Sequence, residues 1–246
     1  MGFINWICSL VCVDVNTKEL EAQFPETRKT IPFRNRLMNR PIRILAVGSS
    51  LREGSYSTLV AKMTLDLSKN YGAVTNFLDL RHTKLPIYDP DDSTQSIQEA
   101  RHLVEWADAF VLASPDYHGS MSGALKNFLD HFWEEFAGKT FGYICASHEK
   151  GLTVMDQMRT AVRQCYGWSL PYGISIDGEQ DFNDQGEIIN IFLNRRLKML
   201  ARDLVVYGSL IRGQFWQDII KDDLPDTFAA RYKSLLQGQE GLITTK

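Results

Sequence analysis

The segment from Ser49 to Ser57 gathers the hydroxyls of Ser49, Ser50, Ser55, Tyr56 and Ser57 around one cation, Arg52. It follows an apolar run, Ile42 to Val47, and leads into a helical pattern. A loop of this kind between a strand and a helix N-terminus suits a phosphate. Hydroxyls and backbone N–H groups donate hydrogen bonds, Arg52 supplies charge, and the helix dipole adds to both. Two glycine-rich phosphate loops are excluded. No Gly-x-x-x-x-Gly-Lys-Ser/Thr is present, and no Gly-x-Gly-x-x-Gly follows the strand. Hydroxyls in place of glycines favour a single terminal phosphate.

A second group of candidates runs from Ser114 to Gly123, after another apolar run. Pro115 fixes φ, while Gly119 and Gly123 let backbone approach a ligand closely. Tyr117 and His118 can present flat faces or edges to an aromatic ring. Ser120 is placed to cap the helix that follows. Taken singly, each has a plainer reading: a turn at Ser114-Pro115-Asp116, a loop histidine, a helix-packing glycine. What raises them above that is position, and position depends on the elements around them.

The chain alternates apolar strand-like runs with helical periods. Strands are expected at Ile42–Val47, Val74–Leu80, Asp108–Ser114, Thr140–Ala146 and Trp168–Ile176. Helices are expected at Ser57–Tyr71, Ser93–Ala107, Gly119–Ala137, Gly151–Tyr166 and Ile188–Tyr207. Such alternation indicates right-handed βαβ units and an α/β fold, a doubly wound five-stranded parallel sheet with helices on both faces. Ligands in these sheets bind at the carboxyl ends of the strands, where the strand order reverses between the first and third. Both candidate loops fall there.

Gly48 to Ser57 and Ser114 to Asp130 resemble the NADPH-dependent FMN reductase family of the flavodoxin-like superfamily. That family reads Gly-Ser-x-Arg-x-x-Ser in the first loop. Its second reads Pro-Glu-Tyr-x-Gly-Ser-x-x-Gly-x-Leu-Lys-Asn-x-x-Asp. Pro115 to Asp130 match the second with one departure, Asp116 for Glu. In the first loop the family's glycine falls at Ser49. The resemblance spans about residues 41–210 and implies an FMN-binding flavodoxin-like domain there. It implies that Ser50, Arg52, Ser55 and Ser57 hold the FMN phosphate, with Tyr56 a further cofactor-binding residue. Pro115, Asp116, Tyr117, His118, Gly119 and Ser120 would line the ring and ribityl chain. Ser147, in the loop after the fourth strand, joins them. The family's glycine-rich loop there reads Ala146 to Gly151 in this chain, with His148 and Lys150 as further candidates.

The implied activity is hydride transfer from NADPH to FMN, then electron delivery to a quinone, azo compound, metal oxyanion or free flavin. In such chemistry the cofactor reacts and the protein positions it, so no catalytic acid, base or nucleophile is assigned. An arsenical-resistance flavin reductase shares the Ser-Leu-Arg-x-x-Ser-Tyr-Ser loop, but carries Arg where Tyr117 stands. The contrasting class is a flavin-binding electron carrier or redox sensor without turnover. A net charge of −3 argues against a carrier steered by a strong field.

The same modest charge gives no basic face for nucleic acid. The four cysteines, Cys8, Cys12, Cys145 and Cys165, form no CxxC pair and suit a reducing, cytoplasmic setting. No histidine cluster has metal spacing. Residues 1–40 read as an N-terminal extension; its apolar run from Phe3 to Val13 is too short to span a bilayer and is expected to dock on protein. Residues 211–246 read as a tail that packs on the core or a neighbouring subunit. The family uses the helix after the third strand in oligomer contacts. Its many aromatic residues in this chain, Phe128, Phe132, Trp133 and Phe136, lead to the expectation of a homodimer or homotetramer.

Overall fold

A computed structural model describes residues 40–220 and 227–232. The expectations for the N-terminal extension, and for Cys8 and Cys12, lie outside the described residues.

The strands are β1 (Arg43–Gly48), β2 (Val74–Asp79), β3 (Ala109–Pro115), β4 (Thr140–Ala146), β5 (Trp168–Ser169) and β6 (Ile174–Ile176). The helices are α1 (Tyr56–Lys69), α2 (Gln95–Trp106), α3 (Gly123–Asp130), α4 (Leu152–Gln164), α5 (Gly178–Asp181) and α6 (Ile191–Ile220). All strand pairs are parallel, in the order β2-β1-β3-β4-β5, with β6 also on β4. The strand order therefore reverses between β1 and β3.

Strand alternation sorts the core into two layers. Leu45 and Val47 of β1, with Phe110 and Leu112 of β3, meet α2, α3 and α4 on one face. Ile44 and Ala46, with Val111 and Ala113, meet α1 and α6 on the other. β3 is buried along its whole length, which is why it reads as an unbroken apolar run.

Three elements differ from the sequence expectation. The fifth strand is broken: after Leu170, whose N–H still reaches the Phe141 carbonyl of β4 at 2.9 Å, the chain leaves the ladder at Pro171 and rejoins it at Ile174. The helix expected at Gly119–Ala137 is only Gly123–Asp130. At its start, His118 and Gly119 have φ of 58° and 74°, which no right-handed helix accepts. At its end, Trp133 leaves helical geometry, and a 3₁₀ turn, Glu134–Phe136, sets Phe136 edge-on to Phe110 and Phe141 at 5.3 and 5.4 Å. Phe128, Phe132 and Phe136 are thereby buried in this chain's own core. Only Trp133 of that aromatic group stays exposed, at 62%, so the group is not the surplus surface from which oligomer contacts were expected.

The last helix continues past Tyr207 to Ile220. Residue 210, the expected end of the core domain, falls inside it. Gly208 and Gly213 weaken the helical signal there, and Arg212 interrupts the apolar stripe. The stripe nevertheless continues as Gly208, Arg212, Phe215, Trp216 and Ile219, all buried. Arg212 is tolerated because its guanidinium reaches Asp108 Oδ2 and the Pro41 carbonyl, each at 3.3 Å.

Candidate active site

Four loops meet at the carboxyl ends of β1, β3, β4 and β6 around an open cleft of about 670 Å³. Ser50, Arg52, Ser55 and Tyr56 come from the first, and Pro115, Asp116, Tyr117 and His118 from the second. Ser147 and His148 follow β4, and Ile176 and Gly178 close the far side. Of the residues singled out in the sequence, Ser57, Gly119 and Ser120 do not line the cleft. Ser57 is buried, its hydroxyl 2.9 Å from that of Ser55. Ser120 turns its hydroxyl to Gln157 Oε1 of α4 at 2.9 Å. Lys150, with φ of 64°, leads into α4 and also lies off the cleft wall.

The first loop leaves its donors facing the cleft. Ser55 is the N-cap of α1, yet no side chain caps that end. The helix N-terminus therefore keeps its attraction for an anion. Arg52 pairs with no carboxylate among the described residues; its guanidinium lies 5.8 Å from the centre of the Tyr117 ring. The Ser50 hydroxyl accepts from the Arg52 N–H at 3.3 Å and so folds the loop back on itself.

The second loop is a tight turn. Tyr117 and Ser120 exchange backbone hydrogen bonds of 3.0 and 3.1 Å around His118 and Gly119. Two successive positive φ values are the signature of a type I′ turn. Asp116 is the brace beneath it. Its Oδ1 accepts from the Gly119 N–H and its Oδ2 from the Ser147 hydroxyl, both at 2.8 Å. Its own N–H donates to the Ala146 carbonyl at 2.9 Å. The carboxylate thus faces protein and ties the turn to the loop after β4. Next to it, burial and the charge of Asp116 push the Cys145 thiol up to about 12, which keeps it neutral.

Sequence reasoning missed several supporting residues. The cap of α3 is Ser122, not Ser120; its hydroxyl accepts from the Leu125 N–H at 3.2 Å. Gln157 also accepts from the Met121 N–H at 3.3 Å and donates to the Gly119 carbonyl at 3.3 Å. Asp177 holds His148 at 3.4 Å across the cleft rim. Gly178 packs directly under the Tyr56 ring, which a Cβ there would displace. Ser122 is of a preferred cap type, and only the position of the helix start, two residues later than expected from Ser120, distinguishes the two serines. Gln157 gave no signal, since nothing in a helix sequence says which loop its exposed face touches.

The donor set fits FMN. An uncapped helix N-terminus, serine hydroxyls and an uncommitted guanidinium match a phosphate monoester. The adjoining turn offers flat side chains, and the cleft lies within the roughly 300–1,000 Å³ of small-molecule sites. Among the described residues no group of His, Cys, Asp or Glu could hold a metal ion.

The described family model for NADPH-dependent FMN reductase matches residues 42–181. The chain is 28% identical over 233 residues to the NADPH-dependent FMN reductase ArsH of Acidithiobacillus ferrooxidans, covering 89% of this chain and 92% of that one. It is 27% identical over 177 residues to the NADPH azoreductase of Bacillus sp. (strain OY1-2), covering 69% and 96%. Among solved structures, FerB, a flavoenzyme NAD(P)H:(acceptor) oxidoreductase from Paracoccus denitrificans, superposes with a TM-score of 0.59 at 19% identity. That match covers 69% of this chain and 98% of FerB, and it shows a shared flavodoxin-like fold. A family match over more than half of the chain, anchored on the strands and loops that build the cleft, places this protein: it belongs to the NADPH-dependent FMN reductases, oxidoreductases that use FMN and NADPH.

Proposed function

We propose that FMN binds across the first and second loops, with its phosphate at the α1 N-terminus and its ring against the turn at Tyr117 and His118. The observation that carries this reading is the meeting of an anion-ready helix end and an aromatic turn in one cleft. Ser50, Ser55 and Arg52 hold the phosphate. Ser57 supports Ser55 from below rather than touching the ligand. Bound FMN supplies hydride acceptance and onward electron transfer; the protein supplies position and electrostatics. Among the described residues, the N–H groups of His118 and His148 make no internal hydrogen bond. They are the backbone donors available to a ring that gains negative charge on reduction. Asp116 keeps the first of them in place and contacts Ser147 rather than the ring.

NADPH and then a small acceptor use the same open mouth of the cleft in turn. An arsenical-type role has one observation in its favour: the match to the Acidithiobacillus ferrooxidans protein runs well beyond residues 42–181. Tyr117 counts against it. We therefore favour an aromatic acceptor, a quinone or azo compound, in a cytoplasmic homodimer or homotetramer. Heat release of the cofactor followed by chromatography tests the binding claim: FMN at near one per chain is expected, and FAD, or no flavin after reconstitution, rejects it. Steady-state NADPH oxidation with a quinone, an azo dye or an arsenical as acceptor then separates the roles.

A further inference from the structure

Ser49, at the start of the first loop, does not line the cleft. Ser49 is fully buried, and its hydroxyl donates to the Ala113 carbonyl of β3 at 2.8 Å. Ser122, buried at the start of α3, donates back to Ser49, 2.9 Å from its hydroxyl and 3.1 Å from its carbonyl. The Ser122 N–H in turn donates to the Ser114 hydroxyl at 2.9 Å. Ser114, also buried, donates to the Pro115 carbonyl at 2.7 Å. Three buried hydroxyls thus run beneath the site, from the loop on the phosphate side to the turn on the ring side. Buried hydroxyls are unfavourable unless satisfied, and all three are satisfied by one another and by backbone.

The family pattern places glycine where this chain has Ser49. Glycine keeps the carbonyl that Ser122 reaches but offers it no hydroxyl, so the bond between the two hydroxyls depends on Ser49. None of its three members lines the cleft. It fixes the two loops relative to each other without a ligand, and a site held in its binding geometry loses less conformational freedom on binding.

We infer that Ser49 and Ser122 are positioning residues that lock the two halves of the FMN site together in the ligand-free protein. The inference rests on the proposed placement of FMN across both loops.

A double-mutant cycle on the full chain, freed of FMN and titrated with it, tests the lock. Ser49→Gly and Ser122→Ala should each raise the FMN dissociation constant about five- to thirtyfold, as expected for one buried hydrogen bond. The double variant should lose less than the two single losses combined, because the bond between the two hydroxyls can be lost only once. The cycle cancels the lost α3 cap and the added glycine freedom, since each occurs in both backgrounds. Hydrogen exchange of the Ser50 to Arg52 amides in the FMN-free chain should quicken in both single variants. If Ser122→Ala folds poorly, Ser49→Gly carries the exchange and affinity tests alone. Additive losses, or unchanged affinity and exchange, overturn the lock. Arg52→Ala separates the two ideas. If it alone weakens FMN, the placement stands and the lock falls; if it too leaves affinity unchanged, the placement itself falls.

Discussion

At the scale of single residues, charge and hydrogen-bond accounting decide roles. Arg52 has the Tyr117 ring beside it and, among the described residues, no carboxylate partner, so in the proposed placement the phosphate is what satisfies it. Charge-assisted hydrogen bonds contribute about 1.5–3 kcal/mol each. Arg52→Ala is therefore expected to weaken FMN binding about 10- to 100-fold without lowering the melting temperature of the FMN-free chain, checked by fluorescence quenching and thermal melts. Cys145 gives a prediction of opposite character. Its folded value is raised from 9.0 to about 12, first by burial and then by Asp116. A raised value favours the neutral, folded thiol below pH 9. That contribution fades as pH rises from 9 toward 12, when the unfolded thiol ionises and the folded one resists. Alkylation of Cys145 at pH 8 should accordingly be slow until the chain is unfolded; fast labelling of the native protein would show an accessible thiolate instead. The gathering of Ser50, Arg52, Ser55 and Tyr56 with Pro115 to His118 at one cleft was legible because phosphate chemistry restricts residue types and the strand order sets both loops at one end of the sheet. Asp116 was legible only in part. The resemblance set it at the ring and ribityl chain, and it does line the cleft; that its carboxylate also accepts from Gly119 and Ser147 no local pattern reveals, since nothing in the sequence says the loop after β4 would come so close.

At the scale of elements, the strands and the order of helices could be read from apolar periodicity, while their ends could not. β3 and β4 announce themselves because they are buried on both faces. The helix after β3 misleads because Phe128, Phe132 and Phe136 keep a helical spacing across a break that only the 3₁₀ turn reveals. The end of α6 misleads for the reverse reason: two glycines and a buried arginine disguise a helix that continues. Its consequence can be measured. A chain ending at residue 210 would lose Phe215, Trp216 and Ile219, each worth about 1.5–3 kcal/mol when buried. It would also lose Arg212, leaving Asp108 without the guanidinium that reaches it. Removing one partner of a buried ion pair costs about 3–5 kcal/mol. That sum approaches the whole stability of a typical domain, so the shortened chain should fail to fold cooperatively in a thermal melt. A sharp transition near that of the full chain would restore residue 210 as a true boundary.

At the scale of the whole molecule, the exposed apolar surface near α3 bears on assembly. The loop from Leu85 to Tyr88 is held to α3 by Asn127, whose side chain reaches the Pro86 carbonyl at 2.7 Å and the Tyr88 N–H at 2.9 Å. Ile87 at its tip is 88% exposed. With Tyr88 beside it, also exposed, it is the apolar contact on which the proposed assembly is expected to depend. Light scattering at micromolar concentration should give a mass at least twice the 28.1 kDa chain. Ile87→Asp should shift that mass downward, and a wild-type monomer would contradict the assembly. The central claim, that this cleft holds FMN and passes hydride to it from NADPH, has one most direct measurement: the absorbance of the FMN-loaded chain titrated anaerobically with NADPH. The account predicts an oxidised flavin band that bleaches at about one equivalent of NADPH and returns with a quinone or azo acceptor. A chain that binds no flavin, or a bound flavin that NADPH leaves unbleached, would contradict it.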